Sequence, residues 1–147
     1  SDLNGCAIYD DYAHHPTELR ATLEAAKTFG AGRVVAIFQP HLYSRTQALA
    51  TEFGAALALA DVAVVLGIYK ARELQEQYPG VTGLLVAEAA ADAKPGLDVT
   101  WLPERDSAVA FLAPRLRSDD LLLTIGAGDV NQIGAELVAL GGSNGGH

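Results

Sequence analysis

Cys6-Ala7-Ile8-Tyr9-Asp10-Asp11-Tyr12-Ala13-His14-His15-Pro16-Thr17-Glu18 decides the reading of this chain. An apolar run is followed by two carboxylates, a phenol and two imidazoles, then by Pro and Glu at the head of an amphipathic pattern. That order predicts strand, loop, helix: Pro loses no intrahelical bond in a first turn, and an acidic side chain there meets the positive end of the helix. In an open parallel sheet, ligands bind beyond the carboxyl ends of the strands, where exit loops meet and helix N-termini offer free N–H groups. The densest chemistry of the sequence falls at such a place.

Outward from this stretch the same alternation repeats. Residues 16–29 read as a helix with Leu19, Leu23, Ala26 and Phe29 on one stripe, ended by Gly30 and Gly32. Residues 33–38 are a β-branched apolar run, as expected of a strand covered on both faces, and lead into Gln39-Pro40-His41. A helix over 46–60 turns Leu49, Phe53, Leu57 and Ala60 inward, and 61–69 reads as a third buried strand. Its exit loop, 70–81, is long and polar and carries the turn signal Pro79-Gly80. Thr82 caps a helix to about Ala93, Pro95-Gly96 turns the chain, and 97–102 reads as a strand. A helix over 107–116, starting near Glu104 and disturbed by Pro114, precedes a strand over 120–125. The turn Gly126-Ala127-Gly128 and a helix over 130–140 close the pattern, leaving 141–147 as a flexible tail. About five strand–helix alternations with short links predict one α/β domain over residues 1–140. The expected architecture is a Rossmann-like, doubly wound, mostly parallel sheet with helices on both faces.

Composition narrows the function. Half of the 147 residues are hydrophobic and 19% are charged, enough for a sizeable core and unlike a disordered chain. A net charge of -8 argues against a nucleic-acid or anionic-membrane partner, both of which need a basic face. The single cysteine, Cys6, lies in an apolar run and reads as a small core side chain. No apolar run reaches a membrane span, no secretory layout opens the chain, and a reducing cytoplasm is the expected compartment. A chain opening on Ser1 reads as a piece of a longer polypeptide, with further motifs upstream.

Three loops carry chemistry. Asp11, Tyr12 and His14 combine a carboxylate, a phenol and an imidazole that titrates near neutrality; the bland alternative is a helix-entry loop whose polar groups cap backbone N–H. His41 and Arg45, in Gln39-Pro40-His41-Leu42-Tyr43-Ser44-Arg45-Thr46, stand near a helix start, where a guanidinium joins free N–H groups in holding a carboxylate or phosphate. The alternative is an ordinary surface ion pair. Gly126-Ala127-Gly128-Asp129-Val130-Asn131 opens like a dinucleotide turn but follows the last strand and has Asn131 where a third Gly belongs, so an NAD site is not expected. A zinc site from His14, His15 and His41 lacks ligand spacing, and no metal site is expected. There is no G-x-x-x-x-G-K-[ST] to cradle a triphosphate and no G-x-S-x-G elbow. What is visible reads as part of a site. A free-standing amino-acid or nucleotide-binding module, and a metal-dependent phosphoesterase using Asp11, His14 and His15, remain open on the residues alone.

Taken together, the Asp10-to-Glu18 stretch, Phe38-Gln39-Pro40-His41-Leu42-Tyr43-Ser44-Arg45-Thr46 and Gly126-Ala127-Gly128-Asp129 resemble the C-terminal domain of the Mur ligases of bacterial cell-wall synthesis, across essentially the whole chain. The doubled His and the F-Q-P-H segment resemble the alanine-adding branch, with the murein tripeptide-recycling ligases nearest to it. The resemblance implies an ATP- and Mg2+-dependent amide ligase joining L-alanine to UDP-N-acetylmuramate. An upstream domain would bind the UDP-sugar, a central one would carry the P-loop and Mg2+, and the C-terminal one would close over them. The isolated domain would be inactive. Carried over by position, Asp11, His14 and Arg45 would be catalytic; Tyr12, His14, His41 and Arg45 would bind substrate; and Asp11, Gly126 and Gly128 would lie near the nucleotide. Where some members have Arg, this chain has Leu42, so the resemblance carries no anion contact there.

Overall fold

The structure is a computed structural model and describes residues 2–3 and 6–145. The chain enters on a two-residue strand β1 (Asp2–Leu3) antiparallel to β2 (Cys6–Asp11). There follow α1 (Pro16–Ala26), β3 (Arg33–Phe38), α2 (Tyr43–Leu57), β4 (Val62–Leu66), α3 (Leu84–Ala93), β5 (Asp98–Leu102), α4 (Ala108–Leu112), β6 (Asp120–Ile125) and α5 (Asn131–Gly145). The sheet order is β1-β2-β6-β3-β4-β5, and all pairings after the first are parallel. β3 and β6 lie side by side at the centre with β4 next to β3, and all three are rich in Val, Ile and Leu, as expected of strands covered on both faces.

Two cores flank the sheet. α1, α2 and α3 bring Leu19, Leu23, Phe53, Leu57 and Val86 onto Phe38, Val65 and Leu123, whereas α4 and α5 bring Leu112, Ile133 and Leu137 onto Ile8, Ile37 and Leu122. Cys6 is a buried member of the second core, as its apolar run predicts. The face changes around β6: helices after β2 and β3 go to one side, and the helix after β6 goes to the other. Such a reversal splays neighbouring exit loops apart and leaves a crevice between them. Register puts the lips of the crevice at one height, with Asp11 and Phe38 both paired to Ile125.

Several expectations shift in detail. α1 ends at Ala26 and passes into a 3₁₀ turn, Lys27–Phe29, capped by Gly30 at φ 76°. The tighter turn rotates Phe29 off the buried stripe, leaving it 61% exposed against Tyr9, ring centroids 6.3 Å apart. α2 starts at Tyr43, three residues before the predicted start at Thr46, and ends before Ala60, which is buried in the link that follows; Leu49 departs from helical geometry and is only partly buried. α4 is a short helix after a 3₁₀ turn over Arg105–Ser107 and stops before Pro114. Loop 70–81 contains a 3₁₀ turn, Gln75–Gln77. α5 continues through Gly145, past the Leu140 boundary expected for the domain; the remainder of the tail lies outside the described residues.

Candidate functional site

The exit loops of β2, β3, β4 and β6 converge over the crevice. The β2 loop is held by its own carboxylate: Asp11 accepts from the Ala13 amide and from Thr22 Oγ1, both at 2.8 Å, and its carbonyl accepts from the Gly126 amide at 2.9 Å. His15 takes the N-cap of α1, its Nδ1 accepting from the Thr17 amide at 3.4 Å. Among the described residues no three His, Cys, Asp or Glu side chains come together to hold a metal. Tyr12 is 65% exposed, and its hydroxyl accepts from Asn131 Nδ2 at 3.1 Å across the mouth.

His14 and His41 face each other edge to plane, ring centroids 6.2 Å apart. His14 Nδ1 lies 3.1 Å from the Tyr12 carbonyl, and a carbonyl only accepts, so Nδ1 carries the proton and neutral His14 presents Nε2 as an acceptor. His41 Nδ1 lies 3.2 Å from Arg45 Nη1, and a guanidinium only donates, so neutral His41 carries its proton on Nε2 and presents a donor. The two imidazoles therefore have opposite polarity. Burial, followed by the Arg45 charge and then His14, holds the His41 pKa below its ordinary value and keeps the ring neutral.

The β4 loop, for which the sequence offers no candidate site residue, forms the third wall. Tyr69 stacks on His41, centroids 5.8 Å apart and planes 15° from parallel. Its amide donates to the Pro40 carbonyl at 2.8 Å and its carbonyl accepts from the Leu42 amide at 2.9 Å, which holds Leu42 at φ 73° ahead of α2. Such a conformation in a residue with a Cβ persists only where its surroundings enforce it. Glu73 accepts from the Ser44 amide at 3.0 Å and from Ser44 Oγ at 2.5 Å. The N-terminus of α2, expected as an anion site, is thus occupied by the protein's own carboxylate, and Arg45 is the cationic group left to meet a ligand. Tyr69 ends the third apolar run and could have been read there; Glu73 has no local signal.

Gln39 is 5% exposed and joins two loops: Nε2 donates to Asp129 at 2.7 Å and Oε1 accepts from the Val130 amide at 3.1 Å. The glycine turn lets this happen. A Cβ on Gly126, at φ 151°, would lie 2.8 Å from the Gln39 carbonyl oxygen; one on Gly128 would lie 2.4 Å from Gln39 Oε1 and 2.7 Å from the Tyr69 ring. The turn therefore packs beneath Tyr69. Beyond Tyr69, a cavity of about 440 Å³ is lined by Gln39, Lys70, Arg105 and Asp129. Arg105 pins α5 to the β5 exit, donating to Glu136 at 2.9 Å and to Gln132 at 3.0 Å. No helix among the described residues is long and apolar enough to cross a membrane.

Known proteins resemble this chain over most of its length. The family described as Mur ligase, glutamate ligase domain, matches residues 1–128. The UDP-N-acetylmuramate–L-alanine ligase of Kineococcus radiotolerans is 55% identical over 92% of this chain, which spans 28% of that relative. The ligase of the same name from Mycolicibacterium smegmatis is 50% identical over 92% of the chain and 27% of the relative. The crystal structure of the UDP-N-acetylmuramate-alanine ligase of Thermotoga maritima superposes with a TM-score of 0.72 at 26% identity, over 93% of this chain and 27% of that one. The chain spans little more than a quarter of the length of these relatives and belongs to the Mur ligase family, as a Mur ligase C-terminal domain.

Proposed function

We propose that this chain is the closing domain of an ATP-dependent ligase that joins L-alanine to UDP-N-acetylmuramate in peptidoglycan precursor synthesis, and so serves cell shape and division. The observation that carries the reading is the cluster of Tyr12, His14, His41 and Arg45 at the crevice of a domain whose relatives bear that name. ATP and Mg2+ would be held mainly by an upstream P-loop domain, while in this chain one Asp11 oxygen accepts from the Ala13 amide and the other from Thr22 on α1. The working compartment is the cytoplasm, where nucleotide-linked sugars and ATP are found together.

In the overall reaction the muramate carboxylate is activated by ATP as an acyl phosphate, the alanine amine attacks it, and phosphate leaves. Arg45 holds the alanine carboxylate or the departing phosphate, a contact worth most in a dry site. His41 Nε2–H donates to the oxygen on which negative charge develops, and its neutrality makes it a hydrogen-bond donor without adding a second full charge beside Arg45. His14 Nε2 accepts a proton from the attacking amine, while Tyr12 supplies a wall and, with Asp11, Gly126 and Gly128, the edge nearest the nucleotide. Closure of this domain completes the site only over bound substrates and keeps water from the acyl phosphate. In the full-length enzyme, Arg45→Ala and His14→Ala should each lower turnover roughly 10²-fold or more, the scale of losing one preorganised electrostatic group, with the domain still folded. Unchanged turnover in both variants rejects the assignment.

A further inference from the structure

The geometry points to a second binding site at the opposite end of the sheet, taking a small molecule that carries a phosphate or carboxylate on an apolar body. A cavity of about 560 Å³ lies at the N-terminal ends of β3, β4 and β5, away from every loop described above. Val35, Val62, Phe111 and Leu116 bring apolar atoms into a lining that is otherwise polar. Its rim holds Arg33, Arg115 and Arg117, three of the seven arginines of a chain with net charge -8, against one lining carboxylate, Asp98.

The rim is built on fixed backbone. Buried Asp120, 2% exposed, accepts from Arg33 Nε at 2.8 Å and Nη2 at 2.7 Å and from the Arg117 amide at 2.8 Å. Arg33 Nη2 also donates to the Arg115 carbonyl at 3.1 Å. Arg115 lies over the Phe111 ring, 3.9 Å from its centroid, and donates to the Phe111 carbonyl at 2.6 Å. Asp120 thus neutralises Arg33 while holding the segment that presents the other two. Among the described residues neither Arg115 nor Arg117 makes an ion pair with a carboxylate. Two such guanidiniums beside the Phe111 ring and Val62 select an anion with an apolar body over a bare anion or a neutral ring.

The test is a backbone amide NMR titration of this chain with phenyl phosphate, benzoate, inorganic phosphate and benzyl alcohol. Saturable shifts at residues 33, 112, 113 and 115–117 are expected with phenyl phosphate or benzoate, the tighter of the two naming the anion, and at least tenfold weaker binding with the other two probes. Arg117→Ala breaks no ion pair among the described residues and leaves the Arg117 amide bond to Asp120 in place, and it should weaken binding several-fold; adding Arg115→Ala should weaken it at least tenfold, with amide dispersion retained. Lack of saturation at these residues, shifts confined to residues 12–14 and 41–45, or unchanged affinity in Arg117→Ala would each overturn the proposal.

Discussion

The Glu73 carboxylate closes the first turn of α2 through Ser44, accepting from both its amide and its hydroxyl, although 29 positions separate the two residues. A carboxylate at a helix N-terminus satisfies orphan N–H groups and meets the positive end of the dipole. Here it also fixes the turn that carries Arg45. Loss of hydration alone would push the Glu73 pKa up, but the bonds from the Ser44 side chain and the Ser44 and Tyr43 amides, with His41 nearby, carry it below the ordinary 4.5.

Glu73→Ala should therefore speed amide exchange at Ser44 and disperse the conformations of Arg45, leaving the β3–β6 core protected. The sign of the pH effect follows from the depressed pKa: the contribution of Glu73 is present above 4.5 and is lost as pH falls through the lower folded value. Exchange at Ser44 insensitive to the substitution would contradict this role.

His41 should titrate below 6.5, and Arg45→Ala should raise its pKa by removing an adjacent cation, as read from the imidazole proton shifts in NMR. Because folding depresses this pKa, protonation favours the unfolded chain. The His41 contribution is full above 6.5 and declines as pH drops from there through the folded value. A His41 pKa that falls in Arg45→Ala would refute the assigned hydrogen bond.

Gly128→Ala places a methyl 2.4 Å from Gln39 Oε1 and 2.7 Å from the Tyr69 ring. Overpacking of this kind costs about 1–3 kcal/mol, measured as a lower urea midpoint. Since Tyr69 stacks on His41, the same variant should shift the His41 resonances. A neutral effect on both would show the turn to be looser than described.

Asp120→Ala removes the buried partner of Arg33 at the base of the two central strands. Breaking a buried pair strands the remaining charge, and because the Arg33 side chain keeps 22% exposure the expected loss is about 3 kcal/mol, at the lower end for such pairs. Chemical denaturation measures it directly, and a loss within 0.5 kcal/mol, the usual effect of a surface substitution, would place the pair among surface ion pairs.

Much of the fold was legible because the deciding signals are local. The apolar runs at Arg33–Phe38 and Asp120–Ile125 are bounded by polar and glycine residues and give both central strands to the residue. The loops bearing His14 and His41 were legible for the same reason. Residues whose roles depend on distant partners were not: Glu73 acts on Ser44, and Gln39 joins Asp129 across the crevice. The bond of Asp11 to the Ala13 amide is the local capping its loop allows, but nothing near Asp11 in sequence announces Thr22 as its second partner. Phe29 continued a helical stripe on paper, but the 3₁₀ turn beneath it changed the period.

The central claim is that this domain completes a ligase site it cannot form alone. Phosphate release with ATP, Mg2+, UDP-N-acetylmuramate and L-alanine should be compared in the full-length polypeptide, in the polypeptide lacking this chain, and in this chain by itself. Alanine-dependent release is expected only from the full-length polypeptide. Release by the chain alone, or alanine-dependent release that survives its deletion, would contradict it.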